Sequence, residues 1–134
     1  MSNLNPFLAA VESVLGDSVS PSRNSPAQLL TQWQQFVNWC EEGYRWDVSE
    51  YRNELSVRDR LERLLTAERL QPFRELGELK ARVDETDTRF KSLLIPGVKM
   101  PNHKQWWEQA VLKRAGEQYA NYFRQAHGIE VEVI

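Results

Sequence analysis

Apolar residues recur at helical spacing through most of the chain. In "NPFLAAVESVLG" Phe7, Leu8, Val11, Val14 and Leu15 follow the i, i+3/i+4, i+7 pattern. Asn5 and Pro6 supply an N-cap and a first helical residue, and Gly16 a stop. The polar stretch 17–24 reads as a loop. A second helix opens at "SPAQ", where Ser25 caps, Pro26 presets the first turn and Gln28 completes a capping box. Its stripe is Leu29, Leu30, Trp33, Phe36, Val37 and Cys40, and Gly43 is placed to end it.

Between 48 and 69 the pattern breaks phase. Val48, Tyr51 and Leu55 share one helical face; Val57, Leu61 and Leu64 share another, about 140° away at helical spacing. Ser56 with Asp59 three residues on looks like a cap between them, so two helices are predicted, near 49–55 and 57–69. From Pro72 a new stripe runs through Leu76, Leu79, Val83, Phe90 and Leu94. Polar Thr86 and Asp87 fall where it should continue, which predicts a kink or a local break. Pro96 and Gly97 open a loop over 95–102.

A last long helix is predicted over 103–126, capped by Asn102, with Trp107, Val111, Leu112, Ala115, Tyr119, Tyr122, Phe123 and Ala126 on one broad face. Gly116 falls inside it, either for close helix contact or at a cost in stability. Gly128 stops it, and "IEVEVI" (129–134) alternates apolar and acidic residues as a strand does. Such a strand needs an edge partner in this chain or another, or it frays. The expectation is a single all-α domain over 1–134: a helical bundle of five to six helices with a short C-terminal β-strand.

Composition adds bounds. The 134 residues are 41% hydrophobic and 27% charged with a net charge of -2, which suits one core and gives no global signal for nucleic acid. Cys40 stands alone and no basic-then-apolar leader opens the chain, so a cytoplasmic protein is expected, with no membrane span. With two histidines, one cysteine, no Glu-x-x-His spacing and no phosphate loop, the expectation is no metal, no cofactor and no catalytic residue set. Cys40 continues the apolar stripe and reads as an inert core thiol.

Local charge is more informative. From Arg89 to Arg114 six basic residues oppose one acid, formally +5; from Glu41 to Glu54 five acids oppose two arginines, formally -3. This suggests a basic end and an acidic end. His103 and Lys104 in the first turn of the last helix would oppose its dipole, and a helix start beside a lysine suits an anion. Trp106 faces away from the apolar stripe, where it can staple to Pro101 or meet a partner.

The tryptophans of "QWQQFVNWCEEGYRW" divide. Trp33 is in phase with the core, Trp39 closes on Tyr44 in a Schellman ending at Gly43, and Trp46 has no helical phase. The candidate partner-binding residues are Trp46, Lys99, Met100, His103, Lys104, Trp106, Lys113 and Arg114. The leading expectation is a non-enzymatic protein–protein interaction module, of inhibitor, immunity, adaptor or chaperone type. It would bind a protein partner with an acidic surface through a Trp-containing, charge-segregated helical face. Two alternatives stand beside it: nucleic-acid binding through 89–114, and a small enzyme or ligand-binding bundle whose site no motif marks. A homodimer through the C-terminal tail is a separate expectation.

Overall fold

The computed structural model describes residues 5–16, 19, 24–100 and 103–134. Five α-helices make up most of these: α1 (Pro6–Leu15), α2 (Pro26–Gly43), α3 (Val48–Thr66), α4 (Arg74–Lys91) and α5 (Glu117–His127). A 3₁₀ turn, Glu68–Leu70, links α3 to α4. Two short strands, β1 (Arg114–Ala115) and β2 (Glu132–Val133), pair in parallel. The chain is an all-α domain in which α2 packs on both α3 and α4.

The expected starts of α1 and α2 are present as capped helices. Asn5 Oδ1 accepts from the Leu8 amide at 2.8 Å, and Ser25 Oγ accepts from the Gln28 amide at 3.1 Å. Gly16 and Gly43 end them with φ of +75° and +120°. Most of the 17–24 loop, together with Pro101 and Asn102, lies outside the described residues.

The predicted split between 55 and 57 does not occur. One helix, α3, runs through, and its buried face is Tyr51, Leu55, Arg58, Leu61 and Leu64. Spacings of four, three, three and three make a regular stripe once Arg58 is counted as a core position. Ser56 does not cap; its hydroxyl donates to the Asn53 carbonyl within the helix. α4 likewise runs unbroken from Arg74 to Lys91, so the expected local break does not occur, and Thr86 and Asp87 are buried members of its inward face.

Both corrections have one cause. Arg58 donates through Nε and Nη2 to the two carboxylate oxygens of Asp87, at 3.0 and 2.9 Å. Trp33 Nε1 donates to the same carboxylate at 3.0 Å, and the Arg58 guanidinium lies 4.3 Å from the Trp107 ring centroid. Burying either charge alone is costly, but a bidentate pair with further hydrogen bonds satisfies both. Read separately, each residue looked like a gap in an apolar stripe.

The largest correction concerns 103–116, which is not helical. Ala110, Val111 and Leu112 are consecutive and all buried, a pattern that one face of a surface helix cannot produce. The chain instead crosses the core in turns and extended backbone. Its polar groups are met from outside: Tyr51 Oη donates to the Ala110 carbonyl, Tyr119 Oη accepts from the Leu112 amide, and the Ile95 amide donates to the Val111 carbonyl. With no helix beginning at 103, the dipole argument for an anion site at His103 and Lys104 falls.

Gly116 is therefore the N-cap of α5 rather than a helix-interior residue. Its amide donates to the Tyr44 carbonyl at 2.6 Å, and an added Cβ would stand 3.1 Å from Arg45 Cα and 3.3 Å from two backbone carbonyl oxygens. In an exposed helix interior, Gly→Ala stabilises by about 1 kcal/mol. Here Gly116→Ala is expected to destabilise by about 1–3 kcal/mol, because the facing atoms are hydrogen-bonded backbone. Urea denaturation of the variant decides the sign; a gain in stability would contradict this packing.

The C-terminal strand signature has its partner within the chain. Arg114 pairs with Glu132 and Ala115 with Val133, extended by a bridge from Ala115 to Tyr44. The unpaired strand that motivated a homodimer through the tail is thus paired along one edge.

Candidate functional site

Between α2 and α3 lies a four-residue link, Tyr44–Asp47, extended at Tyr44 and Asp47 and bent at Trp46, so its two aromatic residues part company. Tyr44 turns inward and is fully buried against Phe36, Tyr51 and Tyr119. Its hydroxyl donates to Glu54 at 2.6 Å. The ring partner of Trp39 is Trp46, at 5.2 Å between centroids, with Trp46 also 5.3 Å from Tyr44. The expected Trp39–Tyr44 clasp is replaced, because the link sends Tyr44 into the core and brings Trp46 back over Trp39.

Trp46 remains 44% exposed, the most exposed large aromatic among the described residues. Carboxylates are close to it in the chain. Asp47 caps α3 by accepting from the Glu50 amide at 2.9 Å, and Glu42 lies one helical turn beyond Trp39 on α2. Glu54 is half-buried and its pKa is raised, chiefly by desolvation and further by Glu50, while the Tyr44 hydroxyl bond works against the rise. The backbone of Arg45 faces Gly116.

The other candidate residues differ in exposure and in the partners they meet. Met100 is buried, so its expected place on a contact surface is corrected. Lys99 and Lys104 are exposed. His103 is half-buried, its Nδ1 3.7 Å from Glu108. Trp106 is half-buried against Phe90 and Trp107, with the Lys91 ammonium 4.5 Å from its ring centroid. Lys113 Nζ lies 3.4 Å from the Ser92 carbonyl, and Arg114 3.8 Å from Glu132.

The expected basic and acidic ends are also corrected. Arg89 ion-pairs with Glu41 and donates to Asn38, and Lys113 and Arg114 line a small recess with Glu41 and Gly43 at the end of α2. The two charge runs meet at Glu41, and cations beside a helix C-terminus complement its dipole. Four of the six basic residues thus have intramolecular partners.

A second polar cluster was not anticipated. Asp59, Glu108, His103 and Arg52 surround a cavity of about 180 Å³ between α3 and the 103–110 segment. Asp59 accepts from Trp107 Nε1 at 2.8 Å, and its pKa is raised chiefly by desolvation, with Glu108 adding to the rise. Among the described residues no group of three or more His, Cys, Asp or Glu side chains is placed to hold a metal ion. Burial pushes the Cys40 thiol well above its ordinary pKa, which keeps it protonated and unreactive. No helix among them is long and apolar enough to cross a membrane.

No known family model, curated protein or solved structure matches the chain.

Proposed function

We propose that this chain is a non-enzymatic protein-interaction module that meets its partner through the aromatic corner where α2 passes into α3. Trp46 carries the reading: a large aromatic side chain held outward on a base of Trp39 and Tyr44. Exposed, braced tryptophans are favoured anchors at protein interfaces, since little side-chain entropy is left to lose on binding. The basic segment serves this role less well, because Arg89, Lys91, Lys113 and Arg114 already have intramolecular partners. Inhibitor, immunity, adaptor and chaperone-type roles all use such a surface. A cytoplasmic setting fits the single buried thiol.

Quantitative affinity capture from native lysate tests this with wild type, Trp46→Ala, and a Lys99→Ala/Lys104→Ala double variant. Trp46→Ala is expected to lose its captured partner by about tenfold or more, as hot-spot aromatics do, with an unchanged circular dichroism spectrum. The lysine variant is expected to retain it. Undiminished capture by Trp46→Ala overturns the reading; loss confined to the lysine variant moves the interface to the basic segment.

A further inference from the structure

Helices α2 and α3 run antiparallel, as two contacts at opposite ends require: Tyr44 with Glu54, and Asn24 with Arg60. Between them lies a groove of about 300 Å³. Phe36 and Val57 give it an apolar floor, while Gln32, Gln35, Asn53 and Ser56 border it. Trp39 lies at one end and is shared with the exposed aromatic corner.

The amides matter most here. The side chains of Gln32, Gln35 and Asn53 make no hydrogen bond to another described residue, and all three residues are exposed. Each offers both a donor and an acceptor, the same complement that an extended peptide backbone presents. From Gln32 to Trp39 the groove follows α2 for roughly 10 Å, at ~1.5 Å per residue. That matches about three residues of extended chain.

The two ends differ in charge. Glu54 lines the Trp39 end, with Glu50 near enough to act on it electrostatically, and Asp47 follows Trp46 in the chain. Arg60 lines the opposite end, where Asn24 Oδ1 accepts from it at 3.1 Å. A cation over the Trp39 ring, which lines the groove together with Glu54, would meet an aromatic face and a carboxylate together, a combination that favours guanidinium or ammonium.

We infer that the α2–α3 groove receives an extended segment of a partner protein, with one arginine or lysine of that segment seated at the Trp39–Glu54 end, where Trp46 backs the Trp39 ring. This rests on the interaction reading above and names the partner's chemistry. It also reverses the sign expected from the charge runs, since the partner brings the positive charge. The amides along the groove hold the segment's backbone, and Trp39 together with Glu54 selects the side chain.

The probe is a short capped peptide of glycine and serine carrying one arginine, compared with the same peptide carrying uncharged citrulline. Binding is followed by the indole N–H resonances of Trp39 and Trp46 and the side-chain amide resonances of Gln32, Gln35 and Asn53. The arginine peptide is expected to shift all five. The citrulline peptide, Trp46→Ala and Glu54→Gln should each weaken binding by about tenfold, and added salt should weaken the arginine peptide alone. Glu54→Gln keeps an acceptor for the Tyr44 hydroxyl, so the fold is preserved.

Absence of shifts with the arginine peptide, shifts confined to other residues, or equal binding of the citrulline peptide would each overturn the inference. Stronger shifts of the same residues by a neutral oligosaccharide would also overturn it, in favour of a glycan groove. If the peptide fails while Trp46→Ala still abolishes partner capture, the interaction reading stands and only the groove's occupant is wrong. If Trp46→Ala leaves capture intact, the interaction reading itself falls.

Discussion

Asp87→Ala is expected to lower unfolding stability by about 3–5 kcal/mol, the range for removing one partner of a buried ion pair. The variant leaves the buried Arg58 guanidinium without the carboxylate that both its Nε and Nη2 contact. It also removes the acceptor for Trp33 Nε1, a buried donor that then goes unmet. Glu62 compensates only in part, because it reaches Arg58 through Nη1 alone and is itself partly exposed.

The double variant Arg58→Met/Asp87→Leu separates the pair's net contribution from the damage of breaking it. Replacing both charges by apolar groups of similar size is expected to recover part of the loss, because the desolvation cost of the charges disappears along with their attraction while the Trp33 donor stays unmet. Urea denaturation of wild type, both single variants and the double variant provides the measurement. If Asp87→Ala cannot be purified folded, Asp87→Asn, which keeps an acceptor for Trp33, gives the same ordering with a smaller loss. A cost below about 1 kcal/mol for Asp87→Ala would show that the pair is solvated rather than buried.

Trp107→Ala is the second large effect, expected at about 3–5 kcal/mol for deleting a buried tryptophan side chain. Trp107 is fully buried, covers the Arg58 guanidinium, and donates to Asp59. It is the anchor by which the non-helical 103–112 segment docks on α3. Its removal should therefore act locally as well as globally. Hydrogen exchange is expected to accelerate first at the Leu112 and Lys113 amides, bonded to Tyr119 Oη and the Leu93 carbonyl, while α2 stays protected. Trp107→Phe keeps an aromatic face over Arg58 but loses the bond to Asp59 and leaves a small cavity where the larger indole stood, so about 1–3 kcal/mol is expected. Uniform acceleration across all helices in Trp107→Ala would contradict a locally docked segment.

Both predictions fall on features that the hydrophobic pattern concealed. A stripe read from apolar residues alone stops at Arg58 on α3 and at Asp87 on α4. It therefore suggested a break in one helix and a kink in the other. The two gaps fill each other in space, twenty-nine positions apart in the chain. No local rule connects them.

The final third of the chain failed for a different reason. Trp107, Val111 and Ala115 fit a helical period, but so does a chain buried on several sides. The consecutive buried run Ala110–Leu112, followed by Gly116, was the available sign that an extended crossing competes with a helix. What decided the matter was the supply of hydrogen-bond partners from Tyr51, Tyr119 and the 93–95 backbone.

The candidate site was only partly legible. Trp46 stood out by having no helical phase, and it is the residue left exposed. Its pairing with Trp39 and the adjoining groove depend on how the Tyr44–Asp47 link is directed. By itself the sequence determined the helical class, the caps at Asn5 and Ser25, the stops at Gly16 and Gly43, and the strand character of the tail. All of these rest on contacts within a few residues or on a single period. Only the tertiary structure decided that Arg58 and Asp87 are core residues, that 103–116 is not helical, and that the two charge runs meet at Glu41. Each of those depends on a partner remote in sequence, whose presence changes the free energy of burying a charge or an open backbone group.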